Sequence, residues 1–221
     1  MSIKSAFLNK DKWKETGKSL RFSLHCIVRP FDGFWDLVHE KRGSILAANI
    51  ILIMVILTQV WQWSYSSFIF YSPRWEDFNL FMQVLPVAIL FLIWCIGNWS
   101  LTTLMDGKGT FADIYMATAY ALTPYVLINI PLIFLSHVIT LEESSYYYVF
   151  KSFSIFWCAL LLLCAMMMIH DYTMGKAIFS SLLTIVAMMV IIFLLLMFFS
   201  LITQSFGYFV SLYKEITFRV Y

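Results

Sequence analysis

Five stretches of this chain are long enough to cross a bilayer and carry no Asp, Glu, Lys or Arg: roughly Ile45–Trp63, Phe81–Leu104, Tyr115–Ile139, Phe153–Ile169 and Ile178–Thr203. A helix rises 1.5 Å per residue, so about 20 apolar residues match a hydrocarbon core of about 30 Å. A helix in a soluble core needs one apolar stripe, whereas these runs are apolar all round. The expected fold is therefore all-α: a polytopic integral membrane protein with a five-helix transmembrane bundle.

Charged residues make up 13% of the chain and hydrophobic ones 61%, which leaves little sequence for a second globular domain. The distribution of charge sets the expected orientation. With the N-terminus inside, 11 Lys and Arg fall on the inner side: nine between Lys4 and Arg42, then Lys108 and Lys176. Four, Arg74, Lys151, Lys214 and Arg219, fall outside. That bias predicts N-in, C-out. Cys26, Cys95, Cys158 and Cys164 form no C-x-x-C pair and read as small packing residues. The charged first 40 residues lack the apolar core of a signal peptide.

Residues 1–43 read as a cytoplasmic interfacial segment. Over Lys10–Val28, Trp13, Gly17, Leu20, Leu24 and Ile27 form a helical stripe, with Lys12, Lys14, Lys18 and Arg21 near or opposite it. Such a helix suits either the lipid surface of the inner leaflet or a partner protein. Arg29-Pro30 breaks it. A second short helix is expected over Gly33–Arg42, capped by Asp32 and stopped by Gly43, with Trp35 as a head-group anchor.

Two inner turns resemble each other. One carries Asp106-Gly107-Lys108-Gly109-Thr110 and then Asp113; the other carries His170-Asp171 and then Gly175-Lys176. Each sets an Asp at the end of an apolar helix, then Gly-Lys, then a new apolar helix. The pattern fits an internal repeat of helical hairpins, and equally the general preference of tight inner turns for Gly, Lys and Asp. Gly107-Lys108-Gly109 has neither the spacing nor the strand-to-helix context of a phosphate loop. His170 with Asp171, Asp106 and Asp113 lacks a second nearby histidine, so no metal is expected. These turns are expected to share one face with Trp35, carrying Asp106, Lys108, Asp113, His170, Asp171 and Lys176 as a partner-binding surface.

No carboxylate or base lies at mid-membrane depth, which disfavours proton-coupled transport. The intramembrane amides include Asn98 and Asn129; these read as interhelical hydrogen-bonding groups or, in the alternative, as a solute site. Pro124 and Pro131 interrupt span three, which fits either a packing kink or a broken transport helix. Clustered rings at Trp61–Trp75 and Tyr146–Tyr148 read as outer aromatic belts. Phe206–Tyr221, where Phe209, Tyr213, Ile216 and Val220 recur at helical spacing, is expected as an extracytoplasmic amphipathic tail, either a separate surface helix or a docking arm for a partner. The transmembrane domain is thus residues 44–205. No catalytic motif is present, and neither an enzyme activity, a cofactor nor a nucleic-acid partner is expected.

Arg29-Pro-Phe-Asp-Gly-Phe-Trp-Asp-Leu, Asp106-Gly-Lys-Gly-Thr-Phe-Ala-Asp, Tyr120-Ala-Leu-Thr-Pro124-Tyr and His170-Asp-Tyr-Thr-Met-Gly-Lys-Ala occur in that order along the five-span frame. In this the chain resembles a bacterial member of the Ypt/Rab-interacting (YIP) membrane family, over about Arg29–Phe199. The resemblance implies N-in, C-out topology in a bacterial inner membrane. Eukaryotic relatives bind Rab GTPases in Golgi traffic, a partner bacteria lack. Bacterial relatives often accompany carbohydrate ABC-importer genes, which implies an accessory role beside permease or ATPase subunits. The expected function is a non-enzymatic membrane adaptor in contact with lipid and with other membrane proteins; the alternative is a small permease for a neutral solute.

Overall fold

The computed structural model describes residues 10–70 and 79–220, with side chains described from residue 16 to 218. Lys4, the side chain of Trp13, the outer-loop residues Tyr71, Arg74 and Trp75, and the side chain of Arg219 lie outside that description. Eight helices and no strand occur among the described residues: α1 (Lys10–Val28), α2 (Pro30–His39), α3 (Ile45–Tyr65), α4 (Leu80–Leu104), α5 (Phe111–Ala121), α6 (Thr123–Leu135), α7 (Ser144–His170) and α8 (Met174–Val220). Five spans result, with α5 and α6 forming one bent crossing from Phe111 to Leu135. We call the end that holds α1, α2 and the α4–α5 and α7–α8 turns basal, and the other end distal.

Small residues bring the spans together. Ala47, Ala48, Cys95, Ala117, Ala119, Ala121 and Ala165 are fully buried. Lipid supplies no hydrophobic drive between helices, so close backbone approach through such residues is what packs a bundle. The bend in span three follows from Pro124, which has no N–H for the carbonyl of Tyr120 one turn back. The hydroxyl of Thr123 donates to that carbonyl instead, at 2.8 Å. The freed backbone group is therefore satisfied inside the protein, as the bilayer requires.

Three expectations are corrected. In α1 the buried face is Thr16, Ser19, Ser23 and Cys26, while Gly17 and Leu24 of the expected stripe stand exposed. The small face wins because α2 crosses closely: a Cβ on Gly33 would come within 2.8 Å of the Cys26 Cα. Burial there, with the Asp36 charge adding, pushes the Cys26 thiol up to about 12, which leaves it unreactive. Second, α2 begins at Pro30, not Gly33. Proline at the first helical position is pre-shaped for a helix and lacks only an N–H that would go unused. Lys41, at φ 52°, and not Gly43, takes the left-handed conformation after it. Third, Phe206–Val220 does not form a separate tail helix but continues α8 without a break over 47 residues. At 1.5 Å per residue α8 is about 70 Å long, more than twice the hydrocarbon thickness.

Candidate functional site

The two basal turns are stitched together around one imidazole. His170 ends α7 and is only 2% exposed. The Gly109 N–H donates to His170 Nδ1 at 3.3 Å, so Nδ1 carries the lone pair and Nε2 the proton. Nε2 then donates to Asn98 Oδ1 at 3.3 Å. Asn98 Nδ2 donates to Thr184 Oγ1 at 3.2 Å, and that hydroxyl donates to the Ser180 carbonyl at 2.8 Å. His170 Nε2, one Asn98 N–H and the Thr184 hydroxyl thus each meet an acceptor. The network joins the α4–α5 turn, α7, α4 and α8, and it engages both ring nitrogens.

Gly107 and Gly109 explain the Gly-Lys-Gly sequence in physical terms. A Cβ on Gly107 would stand 2.8 Å from His170 Nδ1, and one on Gly109 would stand 2.8 Å from His170 Cε1. Any larger residue would push the turn off the ring. The loop is a cradle for an imidazole of the same chain.

Contacts around the ring tie the turns further. Lys108 Nζ pairs with Asp171 Oδ2 at 2.8 Å. Tyr172 stacks on His170, with centroids 5.2 Å apart, and its hydroxyl donates to the Met105 carbonyl at 3.1 Å. Lys176 Nζ donates to the same carbonyl at 3.1 Å and lies 4.3 Å above the Tyr172 ring. Asp106 and Asp171 both adopt the left-handed conformation, at φ 57° and 53°. The likeness of the two turns in sequence is thus a likeness of backbone. An Asp takes this strained position more readily than most residues.

The charges respond to this placement. The hydrogen bond from Lys108 holds the Asp171 carboxyl below the usual carboxylate range; desolvation opposes this, and the charges of Lys108 and His39 add to it. Burial, with the nearby charge of Asp106, raises the Tyr172 phenol.

Of the expected face, Lys108 pairs directly with Asp171, and His170 and Lys176 both meet the Tyr172 ring between them. Asp106 stands exposed in the same turn. Asp113 is drawn into a capping box with Thr110 and serves the start of α5. Trp35 projects from α2, 45% exposed and stacked on His39 at 3.6 Å. Sequence reading missed the partnership of Asn98 with His170. The available signal was depth: Asn98 lies six residues before the end of its span, and His170 closes the neighbouring one.

The second amide, Asn129, belongs to a separate distal network. Gln62 Nε2 donates to Asn129 Oδ1 at 3.3 Å and to the Tyr147 hydroxyl at 3.1 Å. Asn129 Nδ2 donates to the Tyr125 carbonyl at 2.8 Å and to Ser154 Oγ at 3.0 Å. Pro124 and Pro131 lie in α6, which carries Asn129 between α3 and α7.

The family model described as the Yip1 domain matches residues 24–197, which take in α2, both basal turns and the first half of α8. No curated protein matches the chain, and no solved structure matches it.

Proposed function

The chain belongs to the Yip1-domain family of membrane proteins, and from that premise we propose that it is a non-enzymatic membrane adaptor whose basal face docks a larger assembly. The carrying observation is the pair of turns locked on His170, with Lys108, Asp171 and Lys176 at the rim. Loops tied by a buried hydrogen-bonded network present a fixed set of charges, and a fixed set costs little ordering entropy on docking. The excess of Lys and Arg on this side supports a cytoplasmic location. The assembly we propose is a bacterial carbohydrate ABC importer, with this chain in the inner membrane beside its permease or ATPase subunits. The permease alternative would use Asn98 and Asn129, but the amide oxygen and nitrogen of each are held by internal partners. This supports a packing role for them.

Two experiments test the reading. Affinity purification in mild detergent should recover permease or ATPase subunits at fixed stoichiometry, and Asp171→Ala or Asp106→Ala should reduce recovery while membrane insertion stays intact. A chain that always purifies alone counts against the adaptor. For orientation, Ser145→Cys should react with an impermeant thiol reagent on intact cells and Met174→Cys should not; labelling of Met174→Cys would place the basal face outside. The native cysteines are buried and give a low background.

A further inference from the structure

A cleft of about 450 Å³ opens toward the bilayer between α4 and α7, floored by α3 and the α5–α6 bend. Leu90 and Ile155 on its rim are each 55% exposed, so its mouth faces lipid. Its distal end is formed by Gln59, Tyr125, Val87 and Ile155, and its deep end by Trp94, Thr118 and Leu162. Along α4, α7 and the bent span these ends are seven residues apart, or about 10 Å. The exposed wall is mostly apolar apart from the Gln59–Tyr125 end; at the deep end Trp94 Nε1 and Thr118 Oγ1 are themselves buried without a partner among the described residues.

Gln59 supplies the polarity of the distal end. The Tyr125 hydroxyl donates to Gln59 Oε1 and fixes the amide, while Gln59 Nε2 has no acceptor among the described residues. An amide donor facing hydrocarbon without a partner is costly. Gln59 lies within about one helical turn of Trp61, which is 36% exposed and whose indole belongs at head-group level. An acyl ester carbonyl is the acceptor that a bilayer offers near that depth.

We infer that the cleft holds one acyl chain of a distal-leaflet diacyl glycerolipid, with an ester carbonyl accepting a hydrogen bond from Gln59 Nε2. The chain runs past the α5–α6 bend toward Trp94. This site is independent of the docking role of the basal face. The test uses the full-length protein, stripped of lipid in detergent and offered an equimolar mixture of diacyl-ester and dialkyl-ether phosphatidylcholine of equal chain length. Native mass spectrometry then reads the retained lipid. Wild type should retain one lipid and prefer ester over ether by about 2- to 10-fold, the worth of one hydrogen bond. Gln59→Leu should retain both lipids equally. Ala159→Phe, which fills the cleft from its exposed side, should lose the retained lipid. Equal retention of ester and ether by wild type, a preference that survives Gln59→Leu, or unchanged retention in Ala159→Phe would each overturn the assignment.

Discussion

Asn98 and Asn129 are both 0% exposed and both sit in membrane-spanning helices, yet they close different circuits. Asn129 bonds to Gln62, Ser154 and a backbone carbonyl, so its network ties only the spans α3, α6 and α7. Asn98 bonds to His170, which accepts from the main chain of a turn, so its network reaches out of the membrane into water-facing loops. The distal network contains no charged side chain; the basal one is rimmed by Lys108, Asp171 and Lys176. One kind of amide therefore serves two ends: helix packing at one, and the shape of a surface at the other.

The largest expected effect comes from removing the basal hub. His170→Ala leaves Asn98 Oδ1 and the Gly109 N–H buried without partners, a loss of about 2–5 kcal/mol. Thermal unfolding in detergent should show it, and partner recovery should fall as well. Gly109→Ala attacks the same hub from the other side by forcing a Cβ onto Ile169 Cγ2 and the His170 ring, at about 1–3 kcal/mol. It should reduce partner recovery even where the protein still folds.

Asn129→Leu is the matched distal change. It should destabilise by about 1–3 kcal/mol, since Gln62 and Ser154 lose a partner, and leave partner recovery unchanged. Equal loss of recovery in Asn129→Leu and His170→Ala would erase the distinction between the two ends.

The smallest effect concerns the rim. Lys108 is 73% exposed and the Asp171 side chain 33%, so the ion pair contributes under about 1 kcal/mol. Asp171 titrates below its unfolded value, so its stabilising contribution is complete above the ordinary carboxylate range and fades as pH falls through its depressed folded value. Melting temperatures of wild type and Lys108→Ala should differ slightly at neutral pH and converge in strong acid. A gap that widens as pH falls would contradict the pairing.

The spans were legible because the bilayer imposes a length and excludes charge, and Ile45, Leu104 and His170 mark helix ends that charge and turn residues announce. The break at Leu122 was legible as Pro124. The burial of α1 was not, because hydrophobic periodicity weights Leu24 over Ser19, whereas close crossing with Gly33 selects small side chains. The site was half legible. Asp, Gly and Lys at turns are read from sequence as topology signals, and nothing in their spacing says that Gly107 and Gly109 wrap a histidine 61 residues beyond Gly109. The unbroken α8 was missed because Lys214, Glu215 and Arg219 suggested a change of element, while a helix needs only the absence of a breaker to continue.

Hydrogen exchange of the full-length protein in lipid nanodiscs tests the central claim most directly, through peptides covering 105–113 and 170–176. With the two turns gathered on His170, both peptides should be protected in wild type, both should exchange faster in His170→Ala, and both should stay as in wild type in Asn129→Leu. Unchanged exchange of the 105–113 peptide in His170→Ala would mean that the turns stand independently, and the single basal surface would be refuted.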